Sequence, residues 1–207
     1  MKDNFPLLDT LDRLFAGDRR SKLSVSEFLD GLQGRSYAFA ILALNIPNCI
    51  PTGIPWVSTV TGIPMLLLLS QYFAGRPSPS LPQIIGRRGI ERGKLHDMLD
   101  RMRPRIRWLE ARVHVRLEWW VTGTPRRALL LAWTVIILVL AMPIPFDNFL
   151  PAWATLFFCF ALIEDDGAMA IAGWLTALAT VVWTAFLFLV GHAAIMSALA
   201  YLSDRVF

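Results

Sequence analysis

Six polar residues stand where so apolar a chain has least reason to keep them. Asn45 and Asn48 flank Pro47 in one apolar block, Asp147 and Asn148 follow Pro143 and Pro145 in another, Glu164 closes that second block, and His192 interrupts a long apolar stretch. Polar groups are costly in apolar surroundings, so they either line a pathway for a polar solute or take up backbone groups freed by a broken helix. Asn and Asp beside proline perform the second task readily in turns. The candidate positions are Asn45, Pro47, Asn48, Pro55, Pro143, Asp147, Asn148, Pro151, Glu164 and His192, with both roles open.

Recognisable enzyme chemistry is absent from the sequence, and a non-enzymatic protein is expected. His96, His114 and His192 are far apart and assemble no metal-ligand spacing, so neither a metal nor a cofactor is expected. Gly86, Gly89, Gly93 and Lys94 echo a phosphate-binding loop, but the glycine spacing fails and Leu95 occupies the place of the magnesium-binding Ser or Thr. Asp165-Asp166 could be read as a pair holding a metal-bound nucleotide sugar, yet a turn at Asp166-Gly167 explains it without a nucleotide-binding domain. Cys49 and Cys159 lie in apolar blocks and read as buried free thiols.

The elements that must position these residues are membrane spans. Hydrophobic residues make up 55% of the 207, and they gather in long runs: fifteen uncharged residues from Ala128 to Met142, and 35 from Ala168 to Leu202 with no ionisable group except His192 and Tyr201. A span needs roughly 20 apolar residues. The first 35 residues are polar and mixed in charge, unlike a secretory signal, so the chain is expected to keep its N-terminus and insert through its own spans. The two apolar blocks also align without gaps at an offset of 96 residues. Ile41 to Pro47 falls on Ile137 to Pro143, and the same register pairs Pro55 with Pro151 and Thr59 with Thr155. Repeated broken segments point to a site where two halves meet.

The sequence therefore predicts an all-α integral membrane protein of two related, proline-broken halves, as an inverted or parallel repeat. Residues 1–35 form amphipathic helices, 36–75 the first membrane repeat, 76–127 a basic amphipathic linker, and 128–203 the second repeat with a long C-terminal helix. Residues 36–75 fit a helical hairpin or two half-penetrating segments. The run from Ala168 is too long to cross upright and must tilt, project or bend, with Gly191-His192 as its joint.

Residues 76–127 hold thirteen of the twenty basic residues against five acids, which places the linker on the cytoplasmic side; Arg13, Arg19, Arg20, Lys22 and Arg35 place the N-terminal tail there too, so an even number of crossings is expected between residues 36 and 75. From Leu95 the apolar residues recur every three or four positions as one stripe, with Pro104 kinking the helix or starting a second one. Arg101, Arg105, Arg112 and Arg116 flank that stripe and suit anionic lipid headgroups rather than nucleic acid. The competing role is packing of the stripe on the protein's own cytoplasmic face or on a sister subunit. Gly173, Ala177, Thr176, Thr180 and Thr184 offer small residues for close helix contact within a chain or across a homodimer.

These residues also carry a resemblance. Leu44-x-x-Pro47 through Pro55, Gly62-Ile63-Pro64 before a run of leucines, the Gly75-Arg76-Pro77 exit, Pro143-x-Pro145-x-x-Asn148-x-x-Pro151-Ala152, and Asp166-Gly167 together resemble the bacterial exopolysaccharide-synthesis family ExoD, over about residues 22–203. The resemblance implies a small multi-pass inner-membrane protein associated with exopolysaccharide production, with no established catalytic residues to transfer. Asn48-Cys49-Ile50-Pro51 and the doubled acid at Asp165 and Asp166 are left as local variants. The expected function is a transporter-like or export-accessory module. The alternatives are a membrane scaffold that binds anionic lipid or a polysaccharide synthase, and an enzyme acting on lipid-linked sugar.

Overall fold

The computed structural model describes residues 7–50, 55–110, 117–144 and 147–206. Their elements form a polar layer stacked on an apolar helical layer. The polar layer joins two segments far apart in sequence. Helix α1 (Leu7–Phe15), strand β1 (Lys22–Ser24) and helix α2 (Val25–Gly31) come from the N-terminal segment, while strand β2 (Gly89–Glu91) and helix α6 (Arg92–Glu110) come from the linker. β1 and β2 pair antiparallel with Leu23 opposite Ile90. The two segments bury one small core, Leu8, Leu11, Phe15, Leu23, Leu29, Leu32, Leu95 and Leu99. The apolar stripe of α6 is thus spent partly on the chain's own α1. Met98 and Met102 of the same helix remain exposed.

Polar contacts fix this layer. Ser24 Oγ accepts from the Glu27 N–H at 3.2 Å and a Glu27 carboxylate oxygen accepts from the Ser24 N–H at 2.9 Å, the reciprocal cap that the Ser24-Val25-Ser26-Glu27 spacing predicts. That backbone hydrogen bond holds the Glu27 carboxyl below its ordinary range. Arg103 forks onto Asp12 at 3.0 and 2.8 Å, tying α6 to α1. Arg92 donates to the carbonyls of Leu14 and Ala16, where a cation complements the end of α1. Helix α6 continues as one element through Pro104, where a kink or a second helix is expected from sequence, so no second helix starts there. Pro104 lies on the exposed face, so water can serve the carbonyl that its missing N–H leaves unpaired.

The apolar layer comprises α3 (Ser36–Asn45), α4 (Pro55–Phe73), α7 (Gly123–Ala141), α8 (Phe149–Glu164) and α9 (Gly167–Val206), while the four-residue α5 (Gln83–Gly86) belongs to the connection. α4, α7 and α9 are long and apolar enough to cross a membrane. α3, with 10 residues, rises only about 15 Å at 1.5 Å per residue. Tyr37 at the start of α3 lies against Tyr72 at the end of α4, with ring centroids 5.2 Å apart, and Arg126 in the first turn of α7 donates to the Tyr72 hydroxyl. Asn45, ending α3, reaches Ala152, in the first turn of α8. α3 and α7 therefore run one way and α4 and α8 the other, α4 packing on α3 and α7, and α8 on the same two helices and on α9. Their core includes Ile41, Met65, Leu69, Trp133, Ile137 and Phe158.

Two close approaches set the spacing. A Cβ on Gly62 of α4 would come within 2.8 Å of the Ala141 Cβ on α7, and one on Gly173 of α9 within 2.5 Å of the Phe158 ring on α8. Gly173, Ala177 and Thr180 are buried, so this small face of α9 is spent on packing within the chain. The bend expected at Gly191-His192 is not a break, because α9 continues as one helix of 40 residues. A lone helical glycine costs only about 1 kcal/mol against alanine, less than interrupting the backbone ladder in apolar surroundings.

Candidate functional site

The two expected breaks meet at one end of the helical layer. α3 gives way after Asn45 to a 3-10 turn, Ile46–Cys49, carrying exposed Pro47, and Pro55 opens α4. α7 ends at Ala141, exposed Pro143 follows, and α8 starts at Phe149 with Pro151 in its first turn, where the missing N–H removes no helical hydrogen bond.

Asn45 makes the join. It is fully buried, and its amide nitrogen donates to the Ala152 carbonyl at 2.8 Å, across the two halves. Cys49 Sγ stands 4.0 Å from the same oxygen. Asn48 turns instead to its own hairpin, donating to the Thr61 hydroxyl at 2.8 Å, which in turn donates to the Val57 carbonyl at 2.9 Å. Sequence reasoning expects Asn48 and Asn148 to serve the freed backbone. Asn148 gives α8 no side-chain cap, and its carbonyl accepts from the Ala152 N–H in the first turn. The reach of Asn45 to α8 is set by tertiary packing. Its one sequence signal is asymmetry, since the repeat register puts Ala141 at the matching position.

Asp147 is buried, 1% exposed, and both its carboxylate oxygens face the Thr184 hydroxyl of α9, at 3.0 and 2.8 Å. One hydroxyl carries one proton, so a single donor is divided between two oxygens. Three further buried oxygens near these breaks, Asn45 Oδ1, Thr59 Oγ1 and Thr155 Oγ1, have no hydrogen-bond partner among the described residues. Thr59 and Thr155 are the pair matched by the 96-residue register. The arrangement offers a protonatable carboxyl and unfilled acceptors, and among the described residues no nucleophile stands with a base beside it. Thr184 escapes sequence reasoning as a partner of Asp147, because its spacing from Thr176 and Thr180 reads as packing.

The remaining candidates lie elsewhere. Glu164 ends α8 half-buried, at the far end of that helix from the breaks, and His192 is exposed on α9. Asp165 takes a left-handed conformation, φ 50°, and Asp166 accepts from the Ala168 N–H at 2.7 Å, so the doubled acid makes the turn into α9. Arg101 is exposed on α6. Arg112 and Arg116 lie outside the described residues, as do the side chains of Arg105 and Pro55. Among the described residues no group of three or more His, Cys, Asp or Glu is placed to hold a metal.

Residues 7–186, which contain every break residue and all but His192 of the candidate positions, match the family described as exopolysaccharide synthesis, ExoD. The chain belongs to the ExoD family. It is 29% identical to Protein ExoD of Rhizobium meliloti over 192 residues, covering 91% of this chain and 78% of that one. An uncharacterized protein of Synechocystis is also 29% identical over 164 residues, covering 78% of this chain and 77% of its own length. No solved structure matches this ExoD-family chain. Family membership associates it with exopolysaccharide synthesis and supplies no reaction.

Proposed function

We propose that this ExoD-family chain is a multi-pass inner-membrane protein whose helices α3–α4 and α7–α8 are a parallel internal repeat, and that it acts without catalysis as a transporter-like or export-accessory module in exopolysaccharide production. The repeat rests on helix ends that coincide under one register, Asn45 with Ala141, and on the common direction of α3 and α7. Placement of the polar layer on the cytoplasmic side rests on its arginines.

The observation that carries the functional reading is the buried polar join at the breaks. Asp147 sits in an apolar layer where, among the described residues, the Thr184 hydroxyl is the side-chain donor shared between its two oxygens, and buried acceptors stand nearby. Such a carboxyl is the kind of group that binds a proton or polar solute within a membrane bundle. Asp147→Asn keeps an acceptor for Thr184, so the folded protein should survive while polysaccharide output falls by about 10-fold or more. Unchanged output from a protein with unchanged thermal stability in detergent would end the pathway role. The scaffold reading draws on a separate observation: Met98 and Met102 are exposed on α6 beside exposed Arg101, a face that fits a lipid surface or a synthase.

A further inference from the structure

The ends of the two hairpins, residues 46–50 between α3 and α4 and residues 142–149 between α7 and α8, reverse the polarity of a loop that meets water. Polar side chains turn inward: Asn48, Asp147 and the adjacent Asn45 are buried, and among the described residues of both ends no polar side chain is exposed. Apolar side chains turn outward, since Ile46, Ile50, Met142, Phe149 and Trp56 in the first turn of α4 are all exposed. Charge follows the same rule. Residues 36–75 hold no Asp, Glu, Lys or Arg, and residues 128–163 hold Asp147 alone. Helix α9 sets the depth. It starts against the Leu117 carbonyl and passes the second hairpin end where Thr184 donates to Asp147. Thr184 halves the uncharged run of α9, with 17 residues from Ala168 to it and 18 more to Leu202, about 26 and 27 Å at 1.5 Å per residue. Phe186, Phe188, Leu189, Val190 and Met196 of the second half are exposed, and His192 follows Thr184 by about two turns at 3.6 residues per turn.

We infer that both hairpin ends turn inside the bilayer near its mid-depth, with lipid acyl chains against their exposed apolar surface. The two hairpins then enter and leave by the face that carries the polar layer, and among the described helices α9 alone crosses. The inference rests on the membrane placement proposed above and refines it, from several crossings to two intramembrane hairpins and one span. Were the ends at the far headgroups, most of the second half of α9 would stand in water with its aromatic and aliphatic side chains uncovered. Tilted by about 30°, the run of about 52 Å instead matches the roughly 40–45 Å of a bilayer with its headgroup regions, and Thr184 falls at the middle. The first hairpin shares that depth, because Asn45 donates across to the Ala152 carbonyl. Backbone turned inside a bilayer needs partners within the protein. The second hairpin end has them: the Ile144 N–H donates to the Met142 carbonyl, the Asp147 N–H to the Ile144 carbonyl, and Asn45 serves Ala152.

The test uses the full-length protein with Cys49 and Cys159 replaced by alanine and one cysteine restored at a time, as Ile50→Cys, Phe149→Cys or Asp204→Cys. In intact cells a membrane-impermeant maleimide should label Asp204→Cys about 10-fold or more above the other two, because a thiol in hydrocarbon forms little thiolate. Spin labels at the same positions, in vesicles of phosphatidylethanolamine and phosphatidylglycerol, should confirm the surroundings. Labels at 50 and 149 should collide several-fold more with oxygen, which enters acyl chains, than with a water-soluble nickel chelate, and the label at 204 should do the reverse. Each hairpin end is probed by its own exposed position, so a variant that fails to fold leaves the other to decide. Labelling of Ile50→Cys or Phe149→Cys from outside as efficiently as Asp204→Cys would make that end a loop in water and overturn the inference. Shielding of both labels from oxygen and nickel alike would mean a protein cover, such as a second copy, and overturn acyl chains as the partner. Asp204→Cys that reacts only after permeabilisation would overturn α9 as the crossing helix. Extraction of the protein from membranes by alkaline carbonate would overturn the membrane placement itself, whereas a retained protein with nickel-accessible hairpin ends would overturn their depth alone.

Discussion

At the scale of single residues, the structure separates positions that look alike in sequence. Asn45 and Asn148 both stand at proline-rich breaks, yet Asn45 alone reaches across the halves. Asn45→Leu should therefore destabilise the protein by about 1–3 kcal/mol, with a buried acceptor deprived of its donor, and Asn148→Leu by much less; thermal unfolding in detergent would read the difference. The polar layer offers a titration. Hydrogen bonding to Arg103 holds the Asp12 carboxyl below its ordinary range, and the charge of Arg103 adds to this. A carboxyl depressed in the folded state gives stability that is complete above its unfolded value, about 3.9, and lost as pH falls through the folded value. Wild-type protein should thus lose stability below about pH 4 more steeply than Asp12→Asn, and parallel acid curves would remove the pair from the pH dependence. Local chemistry of this sort is partly readable without a structure. The Ser24 and Glu27 cap and the Asp166-Gly167 turn follow from neighbours in the chain, whereas the pairing of Asp12 with Arg103 spans most of the N-terminal half and leaves no local trace.

At the scale of elements, apolar runs located the helices of the apolar layer, since length and hydropathy are properties of contiguous sequence. Strands β1 and β2 went unread for the opposite reason. Each has three residues, too few for alternation to register, and their pairing joins Lys22 to Glu91. The glycines also resist reading, because their meaning lies in a neighbour. Gly62 approaches Ala141 closely and Gly191 has nothing within 4 Å, although both occur inside apolar helices. Gly62→Val should force α4 and α7 apart and lower the unfolding temperature by several degrees, as overpacking by about 1–3 kcal/mol does. Gly191→Ala should raise helix stability by up to about 1 kcal/mol, and a large loss of function without loss of stability would restore the joint expected there.

At the scale of the whole molecule, the cytoplasmic side proposed for the polar layer rests on its charge. In a variant lacking Cys49 and Cys159, cysteines placed at exposed Arg87 and Arg127 should resist a membrane-impermeant reagent in intact cells and react after permeabilisation. Efficient labelling in intact cells would invert the topology. The pairing of the two distant segments has a further consequence, for synthesis. Leu8, Leu11 and Phe15 of α1 are covered by Leu95 and Leu99 of α6, and the whole first hairpin is made between them. At roughly 5–20 residues per second, α1 leaves the ribosome several seconds before the α6 part of its cover exists. During that interval its apolar face is open to chaperones, to the membrane surface or to another nascent chain. A ribosome halted before residue 95 would present α1 only partly covered, and one halted well beyond residue 110 would present it closed, so protease sensitivity at α1 would time the moment at which the first hairpin is locked in place.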